Sequence, residues 1–431
     1  MKFLIRLIKQ TYHMAGPDDG KAVMKNVLSL SWLQAVTYVL PVIIFPYLFR
    51  ILGPDKFGLI TFAQAFVQYF MILTDYGFGA SATKEISLCR EEHSKVSEIF
   101  SSVMTAKFAL AFVSLIIMSI LVYFIPRFRH DWEVYILSFG TVAGTTLFPM
   151  WFFQGTEKMK HIAEINIAGA ILYGISMFII VRGPEDYLMV PVITSITSLT
   201  VGILGQYIVF KRFGVFFKLP EYKTFRQQMK AGWDIFITIV AINVYTTTRV
   251  FTIGLLTNNT VTGFYSIAEK IANAAQTFPL SSFSQAIFPR LSSIYHRNKD
   301  LAFKIMEQTQ LITTILALIC LPLIALFAHD IIRIICGGDY RETVLSLRLL
   351  LVAVFFISAN AFRVQFLVVS GRTEIYSRIH VVMAMLGLPL IFLLIYAFSY
   401  VGAAAATVVI EAGIFALTLF NVRKLHIHFK D

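Results

Sequence analysis

The stretch Arg249–Lys270, RVFTIGLLTNNTVTGFYSIAEK, sets one cation on each side of a short turn, Leu256 to Gly263, inside flanks apolar enough to cross a bilayer. A Lys or Arg near the middle of a spanning helix costs roughly 2.5–3.5 kcal/mol on insertion scales, so such a residue faces a partner or a water-filled cavity. Arg249 lies seven residues before the turn begins and Lys270 seven after Gly263. At about 1.5 Å per residue, both sit roughly 10 Å below the same membrane face.

The rest of the chain has the same character. Its 431 residues are 57% apolar and 14% charged, with a mean hydropathy of +0.72. That is too apolar for a soluble domain and too long for one span. Apolar windows of about 20 residues predict twelve transmembrane helices, beginning near Val27, Gly58, Phe100, Trp132, Ile162, Tyr187, Trp233, Val261, Ile305, Thr343, Ile379 and Val401. The predicted fold is an all-α polytopic membrane protein with two six-helix bundles. Residues 1–25 form a cytoplasmic amphipathic segment, 26–212 the first bundle, 213–230 a basic cytoplasmic linker, 231–424 the second bundle and 425–431 a cytoplasmic tail.

Charge placement gives an orientation. With the N-terminus inside, the inner segments hold 25 of the 37 Lys and Arg and the outer loops 7, which satisfies the positive-inside rule with both termini cytoplasmic. The other five, Lys107, Arg249, Lys270, Arg348 and Arg363, fall within helices. A net charge of +12 spread over inner loops suits anionic membrane lipids and not nucleic acid.

The outer loops leave no room for a soluble catalytic domain, so an enzyme is not expected. Asp55 stands alone in its loop, Glu185–Asp186 reads as a solvated turn, and His329–Glu342, HDIIRIICGGDYRE, as a short interfacial loop. Cys89, Cys320 and Cys336 have no metal or redox spacing, so no metal and no cofactor are expected.

Sliding the chain on itself by 205 residues sets Gly58 on Gly263, Thr61 on Ser266, Ala63 on Ala268, Gln64 on Glu269 and Gln68 on Asn273. Half of twelve helices separates them, as two parallel repeats require. Gln64, Gln68 and Asp75 fall on one face of the second predicted helix, and Ser266, Lys270, Asn273 and Thr277 on one face of the eighth. Polar stripes in a bilayer face protein or water. Two equivalent ones predict a shared cavity between the halves; the competing reading is interhelical hydrogen bonding.

Within the spans, five cations face three acids, Asp75, Glu269 and Glu411. That surplus points to an anionic ligand. Arg249, Lys270 and Arg363 are the candidate cationic contacts, with Gln64, Gln68 and Asn273 as polar ones. Near 4 Å and an effective dielectric of about 20, one phosphate charge gains roughly 4 kcal/mol per cation before desolvation, so two cations suit a diphosphate. Competing readings are an Arg249–Glu269 bridge, Lys107 snorkelling to the inner surface and Arg348 to the outer. Glu411, alone in VGAAAATVVIEAGIFALTLF, Asp75 and Glu269 are candidates to carry a coupling H⁺ or Na⁺; for Glu411 the alternative is a salt bridge to Lys107 or Arg363.

Asn26–Ser87, PMWFFQGTEKM (Pro149–Met159), GLLTNNTVTGFYSIAEKI (Gly254–Ile271) and SQAIFPRLS (Ser284–Ser292) resemble, in order, the bacterial O-antigen and polysaccharide flippases of the Wzx type. Where that family commonly has Asn-Leu-Ser-Ala-Thr-Arg after its DYGF segment, this chain has Gly79-Ala80-Ser81-Ala82-Thr83-Lys84, which keeps the cation and lacks the amide. The resemblance implies the fold of the multidrug/oligosaccharidyl-lipid/polysaccharide exporter superfamily, an inner-membrane location and alternating access. Its implied cargo is an undecaprenyl diphosphate-linked oligosaccharide, with polysaccharide polymerase and chain-length machinery as further candidate partners. Alternatives are a drug or metabolite exporter of the same architecture and, less favoured by the short loops, a polysaccharide polymerase or ligase.

Overall fold

The computed structural model describes the backbone of residues 17–430 and the side chains from Leu40 onward, apart from scattered positions between 234 and 296 and the final turn. The first sixteen residues of the expected amphipathic segment, and the side chains of Pro279 and Pro289, lie outside this description.

Among the described residues the chain is helical throughout. The helices are α1 Pro17–Asp75, α2 Phe78–Cys89, α3 His93–Phe124, α4 Pro126–Arg129, α5 Trp132–Leu147, α6 Met150–Gly155, α7 Met159–Ile180 and α8 Met189–Phe213. There follow α9 Tyr222–Leu256, α10 Asn259–Arg297, α11 Lys299–Leu326, α12 Ala328–Cys336, α13 Arg341–Ser358, α14 Ala361–Val369 and α15 Thr373–Lys430. Helices satisfy their backbone groups internally, which an apolar chain in lipid requires.

Eight apolar helical segments among the described residues are long enough to cross a membrane. Two of them, Leu40–Cys89 and Thr373–Leu425, run for 50 and 53 residues, well beyond the roughly 20 that one crossing needs. Each long helix is broken once. In α1 the break is Gly53, at φ 72° and ψ 170°, a conformation that glycine adopts without a Cβ penalty. In α15 it is Ser399, at φ 54° and ψ −132°. The breaks let a continuous helical run turn back on itself between apolar stretches.

His329–Glu342, read from sequence as an interfacial loop, is mostly the nine-residue helix α12, closed by Gly337 at φ 77°. Its apolar residues recur at helical spacing: Ala328, Ile332 and Cys336 are buried, while Ile334 is exposed. The charges at either end obscured that periodicity.

Lipid is as apolar as leucine, so helices associate in a bilayer through close packing and polar contacts. Phe62, Phe66, Phe128, Tyr135 and Phe251 form an aromatic cluster joining α1, α4 and α5 to α9. Phe66 stacks on Phe128 with centroids 4.7 Å apart and on Phe251 at 5.8 Å. Near Gly53 in α1 and the start of α10 the two helices cross closely enough that a Cβ at Gly58 would overlap the Asn259 carbonyl, and one at Gly263 the Pro54 carbonyl. Thr260 Oγ1 also donates to Asp55 Oδ1 at 3.3 Å. Asp55 and Thr260 are 205 residues apart, and so are Pro54 and Asn259, and Gly58 and Gly263.

At the opposite ends Tyr76 stacks on Phe236 at 4.8 Å, with Gly232 packed against the Tyr76 carbonyl. The expected linker is docked: Val215 is buried, and the Phe216 and Lys218 amides donate to Ser97 Oγ and Ser101 Oγ at 3.4 and 3.0 Å. From Tyr222 it is already part of α9.

Candidate functional site

Three cavities receive the polar residues of α1 and α10. The largest, about 500 Å³, lies among α9, α10, α13, α14 and α15, and Arg249, Glu269, Asn273, Gln276, His380 and Glu411 are among its lining residues. A second, about 290 Å³, lies between α1 and α10 and is lined by Pro41, Phe45, Pro46, Lys270, Asn273 and Thr277 among others. The third, about 230 Å³, is bounded by α1, α5 and α8 and holds Gln64 and Gln68. The two stripes therefore do not meet in one cavity. Gln64 and Gln68 turn into α5 and α8, while the α10 stripe divides between the other two cavities and Asn273 borders both.

The first cavity is not cationic. Arg249 lies 3.3 Å from Glu269, with side chains 13% and 17% exposed, so the pair is shielded from bulk solvent. Its Nη1 also donates to Thr407 Oγ1 at 3.0 Å. Glu411 interacts electrostatically with the same guanidinium, and among the described residues no ion pair joins it to Lys107 or Arg363, the two partners of the alternative reading. Only Glu269 pairs with the guanidinium, so the alternative of an Arg249–Glu269 bridge is the arrangement present, with Glu411 lining the same cavity. Helical spacing explains it: Glu269 and Asn273 are i, i+4 on α10 and face α9, while Thr407 on α15 meets Arg249 from the other side and Glu411, at i+4 from it, borders the same cavity.

Lys270 follows Glu269 by one residue and therefore points about 100° away around the helix, toward α1. Its Nζ stands 3.7 Å from the centroid of the Phe45 ring. Among the described residues no carboxylate lies within 4 Å of it, and the acid whose field reaches it is Glu269, its neighbour in sequence. A ring face attracts a cation without neutralising it, leaving the ammonium able to receive an anion.

The other intramembrane cations are engaged. Lys107 is buried, 4% exposed, and donates to the Thr145 carbonyl at 3.4 Å, so it turns into the bundle and does not snorkel. Asp75 is the acid whose field reaches it. Arg348 donates to the Ala325 carbonyl at 3.1 Å. Arg363 donates to the Ala359 carbonyl, lies over the Phe415 ring at 5.6 Å and interacts with Glu307, an acid absent from the sequence-based count. The residues missed from sequence, Thr407, Tyr376 and His380, carried no signal beyond isolated polarity in apolar helices.

Arg127, in α4 between α3 and α5, reaches across to the turn between α9 and α10. Its Nε donates to the Gly254 carbonyl at 3.0 Å and its Nη2 to Asn259 Oδ1 at 2.6 Å, with the guanidinium over the Phe62 ring.

Known proteins share this sequence and fold. The sequence model of a family described as "Polysaccharide biosynthesis protein" matches residues 23–295. Two relatives carry the name "Putative O-antigen transporter". That of Escherichia coli (strain K12) is 29% identical over 404 residues, covering 93% of this chain and 97% of the relative. That of Shigella dysenteriae is 26% identical over 381 residues, covering 88% and 94%. Among solved structures, "Lipid II flippase MurJ, inward closed conformation" superposes with a TM-score of 0.68 at 14% identity, over 92% of this chain and 87% of that one. An inward-facing multidrug resistance MATE family transporter of the MOP superfamily gives 0.67 at 13% identity, over 93% and 98%. At these identities the structural likeness establishes the fold.

Proposed function

The chain belongs to the polysaccharide biosynthesis protein family, and from that membership and the cavity geometry we propose that it is a flippase for a lipid-linked oligosaccharide. It is a multi-pass membrane transporter and not an enzyme. The proposed cargo is an undecaprenyl diphosphate-linked repeat unit of O-antigen or a related surface polysaccharide, moved from the cytoplasmic to the periplasmic leaflet of the bacterial inner membrane. The observation that carries the reading is Lys270, an intramembrane cation facing a cavity between α1 and α10 with no carboxylate within 4 Å among the described residues. Lys270 is the proposed diphosphate contact; Asn273, bordering the same cavity, is an uncharged donor beside it.

Arg249, Glu269 and Glu411 take a different part in this proposal. One carboxylate paired with the guanidinium and a second in the same cavity can take up a proton or Na⁺ in place of part of that pairing, which suits coupling to an ion gradient and leaves Arg249 a switching partner. Asp75, whose field reaches Lys107, is a further coupling candidate. Arg363, held by Ala359 and close to Glu307, contributes less directly.

The proposed architecture is twelve crossings in two six-helix repeats with both termini cytoplasmic. Supporting it are the two long broken helices and the reciprocal contacts between positions 205 residues apart at the α1–α10 crossing. Those outer ends are packed together, which suits alternating access in a state closed on that side. Transfer of the unit onward to polymerase and chain-length machinery is part of the same proposal.

Deleting the gene in a strain without a related flippase is expected to abolish surface polysaccharide and to leave the lipid-linked unit on the inner leaflet. Normal surface polysaccharide in that strain overturns the reading. A second reading, export of a cationic drug or metabolite, is favoured by the two acids around Arg249. Efflux of a cationic dye that depends on Glu269 and Glu411, with polysaccharide unaffected, would select it.

A further inference from the structure

The cavity that holds Gln64 and Gln68 differs from the other two in having no charge. Its polar lining consists of those two amides and the hydroxyls of Ser138, Thr141 and Thr194; the remainder is Ile60, Val67, Met71 and Pro191. The hydroxyls are partly committed. Ser138 donates to the Val134 carbonyl at 2.6 Å and Thr194 to the Val190 carbonyl at 2.8 Å, while Thr141 stands 3.5 Å from Ser195 Oγ. Each hydroxyl oxygen keeps acceptor capacity. Neither glutamine side chain has a hydrogen-bond partner among the described residues, and neither is among the sealed-off polar atoms, so both amides open into the cavity. Gln64 and Gln68 are one helical turn apart and present their amides side by side.

Two unpartnered amides in a membrane-embedded bundle require water or a ligand, because lipid supplies neither donor nor acceptor. Each amide offers two donors and one acceptor oxygen, the complement of a vicinal diol or an acetamido group. No lining cation is present to match a carboxylate and no lining acid to match an amine. At about 230 Å³ the cavity holds the equivalent of roughly eight waters at ~30 Å³ each, room for one sugar ring and not for a whole repeat unit. The charged residues of the α10 stripe border the other two cavities.

We propose that the α1–α5–α8 cavity is a subsite for one uncharged sugar of the cargo, read by Gln64 and Gln68, and that it separates glycan recognition from diphosphate recognition at Lys270. This rests on the reading of the chain as the carrier of a lipid-linked glycan and adds which part of the molecule selects the sugar and of what class. Neutral hydroxyl and acetamido sugars are accepted; a hexuronic acid at that position is excluded, since its carboxylate would lie in the cavity without a countercharge.

The test is a binding measurement on the purified full chain with three probes: a short-chain polyprenyl diphosphate without sugar, the same lipid bearing one N-acetylhexosamine, and the same lipid bearing one hexuronic acid. Wild type is expected to bind the N-acetylhexosamine lipid about tenfold more tightly than the bare lipid, as two net hydrogen bonds would give, and to show no such gain for the uronic acid. In Gln64→Leu/Gln68→Leu the gain falls to about one while bare-lipid affinity is unchanged. If the double variant also loses bare-lipid binding, Thr141→Val, which keeps the side-chain shape and deletes one hydroxyl, decides by the same ratio, expected to drop about threefold. Retention of the full N-acetylhexosamine preference in the variant that still binds bare lipid overturns the subsite, as does equal preference for the uronic acid. A wild type that binds none of the three lipids overturns the carrier reading itself.

Discussion

The Arg249 guanidinium lies 3.3 Å from the Glu269 carboxylate, joining α9 to α10 about two helical turns from the turn that connects them. Glu411, on α15, lines the same cavity and senses that guanidinium through its field, with no ion pair within 4 Å between them. In the proposed division of roles Arg249 belongs to the coupling group, and Lys270, beside Glu269 on α10, is the anion contact.

Breaking a buried pair from one side strands the remaining charge, at about 3–5 kcal/mol when burial is complete; the residual exposure of 13% and 17% lowers that figure here. Arg249→Ala strands Glu269 and removes the cation that Glu411 senses, whereas Glu269→Gln leaves the guanidinium its bond to Thr407 and the field of Glu411. Thermal unfolding of the purified protein is expected to show a larger loss for Arg249→Ala than for Glu269→Gln, with Arg249→Met/Glu269→Leu recovering part of it. Equal stability of all three variants would dissolve the network.

Gly263 packs against the Pro54 carbonyl and Gly58 against that of Asn259. A side chain at either position meets backbone, which rotation about χ1 cannot relieve; overpacking of this kind costs ~1–3 kcal/mol. Gly58→Val and Gly263→Val are expected to hold the outer ends apart, raising thiol labelling of a cysteine placed at Thr260 and lowering export. Unchanged labelling would mean that this crossing does not close the outer side.

Arg127 ties the first half to the α9–α10 turn through Gly254 and Asn259. One bond from a charged donor is worth about 1.5 kcal/mol or more, roughly tenfold in a two-state population. Arg127→Gln should therefore shift the distance distribution between spin labels at Lys56 and Asn258 toward separation. An unchanged distribution would show that the contact does not hold the outer ends together.

Glu411→Gln keeps the shape of the side chain and removes its charge. If the Glu269–Arg249–Glu411 group couples transport to H⁺ or Na⁺, the variant flips cargo downhill at the wild-type rate and no longer responds to an imposed ion gradient. A gradient response equal to that of wild type would assign coupling elsewhere, Asp75 beside Lys107 being the next candidate.

Much of this was legible before the coordinates. The helix starts expected at Trp132, Val261 and Thr343 fall at Trp132, Asn259 and Arg341, because polar and charged residues punctuate apolar runs cleanly. Gly58 and Gly263 stood out through the 205-residue offset, and their contact follows from two equivalent helices crossing near their ends. What stayed hidden were partners far apart in sequence. Glu411 and Arg249 are separated by 162 residues, and composition gave Glu411 no reason to prefer Arg249 over Lys107. Helix α12 was masked by the charges bounding it. The shared cavity expected for Gln64, Gln68 and the α10 stripe divided into three because a face polar along its length still turns by about 100° per residue, so Glu269 and Lys270 cannot look the same way.

The central claim is that Lys270, which has no carboxylate within 4 Å among the described residues, receives the diphosphate of a lipid-linked glycan. Its most direct test is flipping by the purified chain in liposomes, using a fluorescent short-chain polyprenyl diphosphate oligosaccharide whose outer-leaflet pool is quenched from outside. Wild type is expected to expose the inner pool to quencher above the protein-free rate, and Lys270→Met, which keeps the stem against Phe45 and loses the charge, to fall back to that rate while remaining folded. Flipping by Lys270→Met at the wild-type rate would contradict the account.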